Sequence, residues 1–335
     1  MGLIDKGGSA PQLQTAQEKD SKSIQTLAEK GTAHLSDLNR SIQVLEDTIF
    51  HISNGHPHRP SHLNDLGNAL LIHFQELEDL SDLKRSIQVF EEAVLLVPDD
   101  HPNKPSYLNN LGNSLLTSFQ QQGNLSDLKQ SIQVFEKAVH LAPNDHPNKP
   151  SYLNNLGNSF FTSFKQLGNL SDLKRSIQVF EKAVHLIPDD YPNKPSYSNN
   201  LGNSLQAHSE QLGELSDLDR SIQVREDALH HTPNGHPRKS SYLNNLGNSL
   251  LTRFQQLGNL SDLNRSIQVR EDALLSPGGY HDRPSLLNNL GNSLLTHFQQ
   301  IGDLSDLNRS IQVFEDAVLL FPDGHTDKPS CLNNL

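Results

Sequence analysis

The chain has no tryptophan, one methionine and one cysteine, and aromatic residues make up only 6% of it. A single cysteine, Cys331, excludes an intramolecular disulfide and a cysteine-based zinc site. It stands near the last residue, with no evident activating partner. No apolar run approaches the roughly 20 residues of a membrane span. Residues 1–6 lack the apolar centre of a signal peptide, and Lys6 stands where a myristoylation site needs Ser or Thr. Cations are scarce: 27 Lys and Arg face 39 Asp and Glu, a net charge of -12. That argues against nucleic acid as the partner, because phosphate contacts need clustered Lys and Arg. It argues equally against an anionic membrane surface. The expectation is a cytoplasmic protein, in which the Asn-Leu-Ser sequons at Asn124, Asn169 and Asn259 carry no glycan. A Gly-rich phosphate loop, His-Glu-x-x-His and Gly-x-Ser-x-Gly are missing as well. The expectation is therefore a non-enzymatic chain with no catalytic residue, no metal and no cofactor.

What the chain has instead is one string, many times over. Leu-Gly-Asn recurs with its glycine at Gly67, Gly112, Gly157, Gly202, Gly247 and Gly291, at spacings of 45, 45, 45, 45 and 44. Ser-Asp-Leu keeps the same beat, from Ser36 and Ser81 to Ser305. A period in this range marks a repeat array whose units bury their apolar faces only against one another. A hydrophobic fraction of 34% suits such a thin, continuous core.

One unit, residues 105–143, shows the plan. Leu108, Leu111, Leu115 and Phe119 lie at helical offsets on one narrow stripe. Gly112 shares that stripe, which fits close approach by a neighbouring helix rather than a break. Gly123 stops the helix. Ser126 then reads as an N-cap, with Asp127 favouring the helix dipole. Leu128, Ile132, Phe135, Ala138 and Val139 form the stripe of a second helix, which ends before Pro143. The loop up to Pro150 has no apolar residue besides its prolines and is expected to be exposed. No segment alternates as a strand does.

Two spaced patterns now stand in phase: Leu108-x2-Leu111-Gly112-x2-Leu115, then Ser131-x3-Phe135-x2-Ala138-x4-Pro143. Together they resemble the tetratricopeptide repeat (TPR), whose usual unit is about 34 residues. This unit is about eleven longer, and the excess falls around helix ends, where a helical hairpin lengthens without losing register. Among long-repeat TPRs it is similar to the kinesin-light-chain type, which carries a similar Leu-Asn-Asn-Leu string. It is similar also to TPR arrays of filamentous fungi, some fused to a caspase-like CHAT domain. The resemblance implies an all-α, right-handed TPR-like α-solenoid of stacked antiparallel helix pairs.

On that plan residues 1–20 form a disordered N-terminal segment and 21–335 the array. A partial pair at 21–52 precedes full pairs at about 61–97, 106–142, 151–187, 196–232, 241–276 and 285–321, with a truncated repeat at 329–335. Units four and five depart from the pattern. Arg225 and Arg270 stand where other units have Phe, which puts their packing in doubt. Ser209 and Gln206 replace Phe and Leu in unit four.

A helical wheel centred on Leu108 places Asn109 and Asn113 about 100° and 140° round, beside the core stripe. Stacking makes two asparagine ladders: Asn64, Asn109, Asn154, Asn199, Asn244 and Asn288, and Asn68, Asn113, Asn158, Asn203, Asn248 and Asn292. In long-repeat TPRs this side of the first helix lines the concave groove, and similar asparagines hold peptide backbones. The resemblance therefore implies that these twelve residues bind an extended peptide, an amide offering both donor and acceptor. The alternative is that the ladders only satisfy backbone groups between stacked helices. Leu71, Leu116, Phe161, Leu251 and Leu295 lie close by. The groove helices carry few charges, and the carboxylate clamp of chaperone-tail-binding TPRs, which needs Lys or Arg in the groove, is not evident. His56, His58 and His62, and loops such as Asp99-Asp100-His101, are spaced too irregularly for a metal set. Arg40, Arg85, Arg175, Arg220, Arg265 and Arg309 on the second helices are expected to pair with acidic neighbours.

The expected function is a protein-interaction scaffold taking extended peptides, with self-association through open solenoid ends as a further possibility. The alternative function is the recognition arm of a larger effector, such as a CHAT-type protease, whose catalytic domain lies beyond residue 335.

Overall fold

The computed structural model describes residues 34–276, 282–321, 325 and 328–335. The segment 1–20, and a first helix anticipated at 21–32, lie outside the described residues. Within them the chain is all-α, with 14 helices in consecutive pairs and no strand. It divides after Ala142 into two units.

The first unit holds α1 (34–51), α2 (Arg59–Leu77), α3 (Leu80–Leu95), α4 (Lys104–Gln122) and α5 (Leu125–Leu141). The second holds α6 (Lys149–Leu167), α7 (Leu170–His185), α8 (Lys194–Leu212), α9 (Leu215–His230), α10 (Lys239–Leu257), α11 (Leu260–Leu275), α12 (Arg283–Ile301), α13 (Leu304–Leu320) and α14 (Lys328–Asn334). Even-numbered helices from α2 to α12 are the A helices of their pairs, and odd-numbered helices from α3 to α13 the B helices. Each A helix packs on its own B helix, and within each unit each B helix packs on the next A helix. A helices also touch: α2 with α4 in the first unit, and α6, α8, α10 and α12 in series in the second.

Local chemistry sets the ends. Most A helices begin one residue before a proline, whose fixed φ and missing N–H suit the first turn. They end at Gly123, Gly168, Gly213, Gly258 and Gly302, all with φ between +68 and +79. In the first pair Glu78 holds the same left-handed position at φ 56. The B-helix caps lie two residues before the serine that the sequence suggests. Asn124 Oδ1 accepts from Ser126 N at 3.0 Å, and Asp79, Asn169, Asn259 and Asp303 repeat the bond. Asx residues cap as well as Ser and here precede it, so Ser126 falls in the first turn.

The close approach expected at Gly112 is present. A Cβ there would lie 2.7 Å from the Phe135 ring, and Gly67, Gly157 and Gly291 face Phe90, Phe180 and Phe314 in the same way. The loops from each B helix to the next A helix carry contacts of their own, as the one before α4 shows. His101 Nδ1 accepts from Asn103 N at 3.2 Å, and its ring stacks on Tyr107. Buried Lys104 donates to Val97 O at 2.6 Å and pairs with Asp99 at 2.9 Å. Histidine and carboxylate in these loops thus hold a turn together.

Candidate functional site

The asparagine ladders lie on the A helices, half-buried in both units, apart from Asn154 and Asn199 at 9% exposure. Much of the first ladder is engaged in packing. In the first unit Asn64 Oδ1 accepts from Asn110 Nδ2 at 2.9 Å. In the second, Asn154 accepts from Asn200 (3.0 Å), Asn199 from Asn245 (3.0 Å), Asn244 from Asn289 (3.1 Å) and Asn288 from Asn334 (3.2 Å). The donor is always the second asparagine of the next Asn-Asn-Leu string. Sequence reasoning gave that residue no role, although its doubling in every unit after the first was the signal. In the second ladder, Asn68, Asn113, Asn158 and Asn292 have no side-chain hydrogen bond among the described residues. Their amides keep both donor and acceptor for another molecule.

Units four and five differ. The packing doubted at Arg225 and Arg270 is tight: each is 2% exposed and lies against Gly202 or Gly247, as Phe does elsewhere. Aliphatic carbons fill the slot of the ring, and the guanidinium continues into the A-helix side. Arg225 Nη1 donates to Asn199 Oδ1 (3.1 Å), and Nη2 to Asn203 Oδ1 (2.9 Å) and Gln206 Oε1 (3.3 Å). Arg270 repeats this on Asn244 (3.1 Å) and Asn248 (2.8 Å). Each Nε donates to the serine one turn earlier, Ser221 or Ser266. Burial lowers the Arg225 pKa to about 9 and that of Arg270 to about 10, so both stay charged at neutral pH. The A-helix side therefore receives cations from B helices, where a search of the first helices does not find them.

In the second unit this side opens as a groove of about 420 Å³ over α6, α8 and α10, with Phe161, Asn203, Gln206, Arg225 and Asn248 in its walls. Lys165 and Glu210 stand at its edge, and Gln206 donates to Glu210 at 2.8 Å. A larger cavity of about 850 Å³ lies between α9, α10 and α11, floored by Leu243 and Leu246. It contains none of the ladder asparagines.

No protein-family model and no curated protein matches the chain. Solved structures do. The C-terminal part of a TPR repeat-containing protein from Cytophaga hutchinsonii aligns at TM-score 0.54 and 13% identity, over 92% of this chain and 98% of that one. A chain of the APC/C hetero-tetramer Cut9–Hcn1 aligns at 0.55 and 14%, over 88% of this chain and 45% of that one. BtubC (BKLC) from P. vanneervenii aligns at 0.50 and 17%, over 72% and 91%. The fold is that of TPR arrays. At these identities the likeness speaks for the fold alone, and the site must be read from this chain's own side chains.

Other polar groups of this TPR-like fold have structural partners. The B-helix aspartate of each turn is bound by whatever residue lies nine positions earlier. His73, His208 and His297 contact Asp82, Asp217 and Asp306 at 2.6 Å, Ser118 and Ser163 donate to Asp127 and Asp172 at 2.7 Å, and Arg253 holds Asp262. His208, Glu214 and Asp217 bring one ligand atom each within 4.8 Å of one another, but the His208–Asp217 contact is this recurring staple. Four of the recurrent arginines pair as expected, Arg85 with Glu46, Arg220 with Glu181, Arg265 with Glu226 and Arg309 with Glu271, while Arg40 has no acidic partner among the described residues. Arg175 lies over the Phe160 ring at 4.1 Å. Cys331 is buried, which raises its thiol pKa. No described helix is long and apolar enough to cross a membrane.

Proposed function

We propose that this chain is a non-enzymatic protein-interaction scaffold that takes extended peptide segments along its A helices. The observation that carries the reading is the set of half-buried amides left without side-chain partners, Asn68 and Asn113 near Leu116 in the first unit, and Asn158 near Phe161 and Asn292 in the second. An extended peptide presents N–H and C=O alternately, and an amide meets both. The groove of about 420 Å³ over α6, α8 and α10 gives such a segment room in the second unit.

The first ladder is a poorer probe of this reading than the second. Asn154 is buried and accepts from Asn200, so its truncation disturbs packing as well as binding. The test is a random peptide library selected on the full chain, followed by Asn158→Ala with Asn292→Ala. Two lost hydrogen bonds at about 0.5–1.5 kcal/mol each are expected to weaken the selected peptide about tenfold or more. The melting curve is expected to stay unchanged. Unaltered affinity in calorimetry contradicts the reading.

A further inference from the structure

Guanidinium has five N–H donors and no acceptor. An amide that hydrogen-bonds to it must therefore offer its oxygen. Arg225 and Arg270 thus fix the orientation of Asn203 and Asn248, whose Oδ1 atoms are turned down onto buried nitrogens at 2.9 and 2.8 Å. What these two residues keep for the groove is the NH2 end. In units with Phe at the same position, the equivalent asparagines choose freely between donor and acceptor. The repeat thus changes character along the second unit, from ambivalent at Asn158 to donor-only at Asn203 and Asn248.

Charge points the same way. Both cations are almost completely buried, and neither makes an ion pair within the described residues. Their partners are neutral amides and serine hydroxyls. Glu210 is the acidic residue at the groove edge near Arg225, and it is tied to Gln206. Only burial acts on Arg270. A buried cation without an anion is costly, and an anion delivered close by relieves that cost.

We propose that the stretch of groove formed by α8 and α10 selects carboxylate side chains, Asp or Glu, in the bound segment, with Arg225 and Arg270 as positioning residues behind the asparagine donors. This deepens the peptide-scaffold reading and rests on it. Packed helices lie about 8–10 Å apart, which an extended chain crosses in about three residues. In the polyproline II form of an extended chain, three residues make one turn and rise about 9 Å, so acidic side chains three apart face the same way and would reach both subsites.

The probes are two fluorescein-labelled peptides of about twelve residues, one with glutamate at every third position among serine and glycine, the other with glutamine there. Anisotropy is read on the full chain at about 0.15 M salt, where repulsion from the net charge of -12 is largely screened. The glutamate peptide is expected to bind about tenfold tighter, the scale of one charge-assisted hydrogen bond. In R225F with R270F, which restores the residue of the other units, the preference is expected to fall to about one while circular dichroism is unchanged. Equal binding of both peptides by the unaltered chain overturns the inference and leaves the groove reading standing. So does a preference that survives in the double variant. Failure of both peptides to bind overturns the inference together with the groove reading. The comparison on the unaltered chain decides the matter even if the double variant does not fold.

Discussion

At the scale of single residues, small geometric demands explain most of what repeats. Glycine recurs in the A-helix stripe because a Cβ there would sit 2.6–2.7 Å from a phenylalanine ring in four pairs and 2.9–3.0 Å from an arginine in the other two. It recurs after the A helix because the chain turns through positive φ. Asparagine or aspartate recurs before the B helix because its side chain reaches the N–H two residues on. Glu214 breaks this last rule. It holds the same extended backbone, φ -82 and ψ 104, but its side chain makes no cap bond. Glu214→Asn is therefore expected to stabilise the chain by about 1 kcal/mol. A higher urea midpoint checks this, and an unmoved midpoint contradicts it.

At the scale of elements, the same reasoning shows what the sequence reveals and what it hides. The glycine contacts and the A-helix stops were legible, because each depends on neighbours within a turn or on a string that recurs in every pair. The caps were misplaced by two residues, because Asn124 and Ser126 are both competent caps. The asparagine bridges were not legible, because they depend on the step between successive pairs and span 45 or 46 residues. Arg225 and Arg270 were read as defects in a core stripe. Their acceptors lie 22 and 26 residues away on the paired helix, and sequence alone does not show that the guanidinium passes the core and emerges among amides. The energetic side of that expectation remains. Charge buried between α10 and α11 is expected to cost more than a well-packed ring in the same slot. Arg270→Phe should raise the thermal midpoint, by the equivalent of about 1 kcal/mol or more. A lower midpoint would mean that the hydrogen bonds to Asn244 and Asn248 outweigh desolvation.

At the scale of the whole molecule, a TPR array with a net charge of -12 places its unsatisfied polar capacity on one set of helices. The recurrent arginines Arg85, Arg220, Arg265 and Arg309 are consumed in ion pairs with the preceding odd-numbered helix of their own unit. The second-ladder amides are not consumed in this way, and two buried cations lie behind them in the second unit. The cavity of about 850 Å³ between α9, α10 and α11 is the competing place for a ligand, and it lies away from the ladder. The measurement that separates these two is photo-crosslinking of a library-selected peptide carrying benzophenone, with the linked residues mapped by mass spectrometry. The account places the crosslinks on the A helices, around Phe161, Asn203, Gln206 and Asn248 in the second unit. Crosslinks concentrated on Leu229, Val269 and Leu275, in the wall of the other cavity, would contradict it.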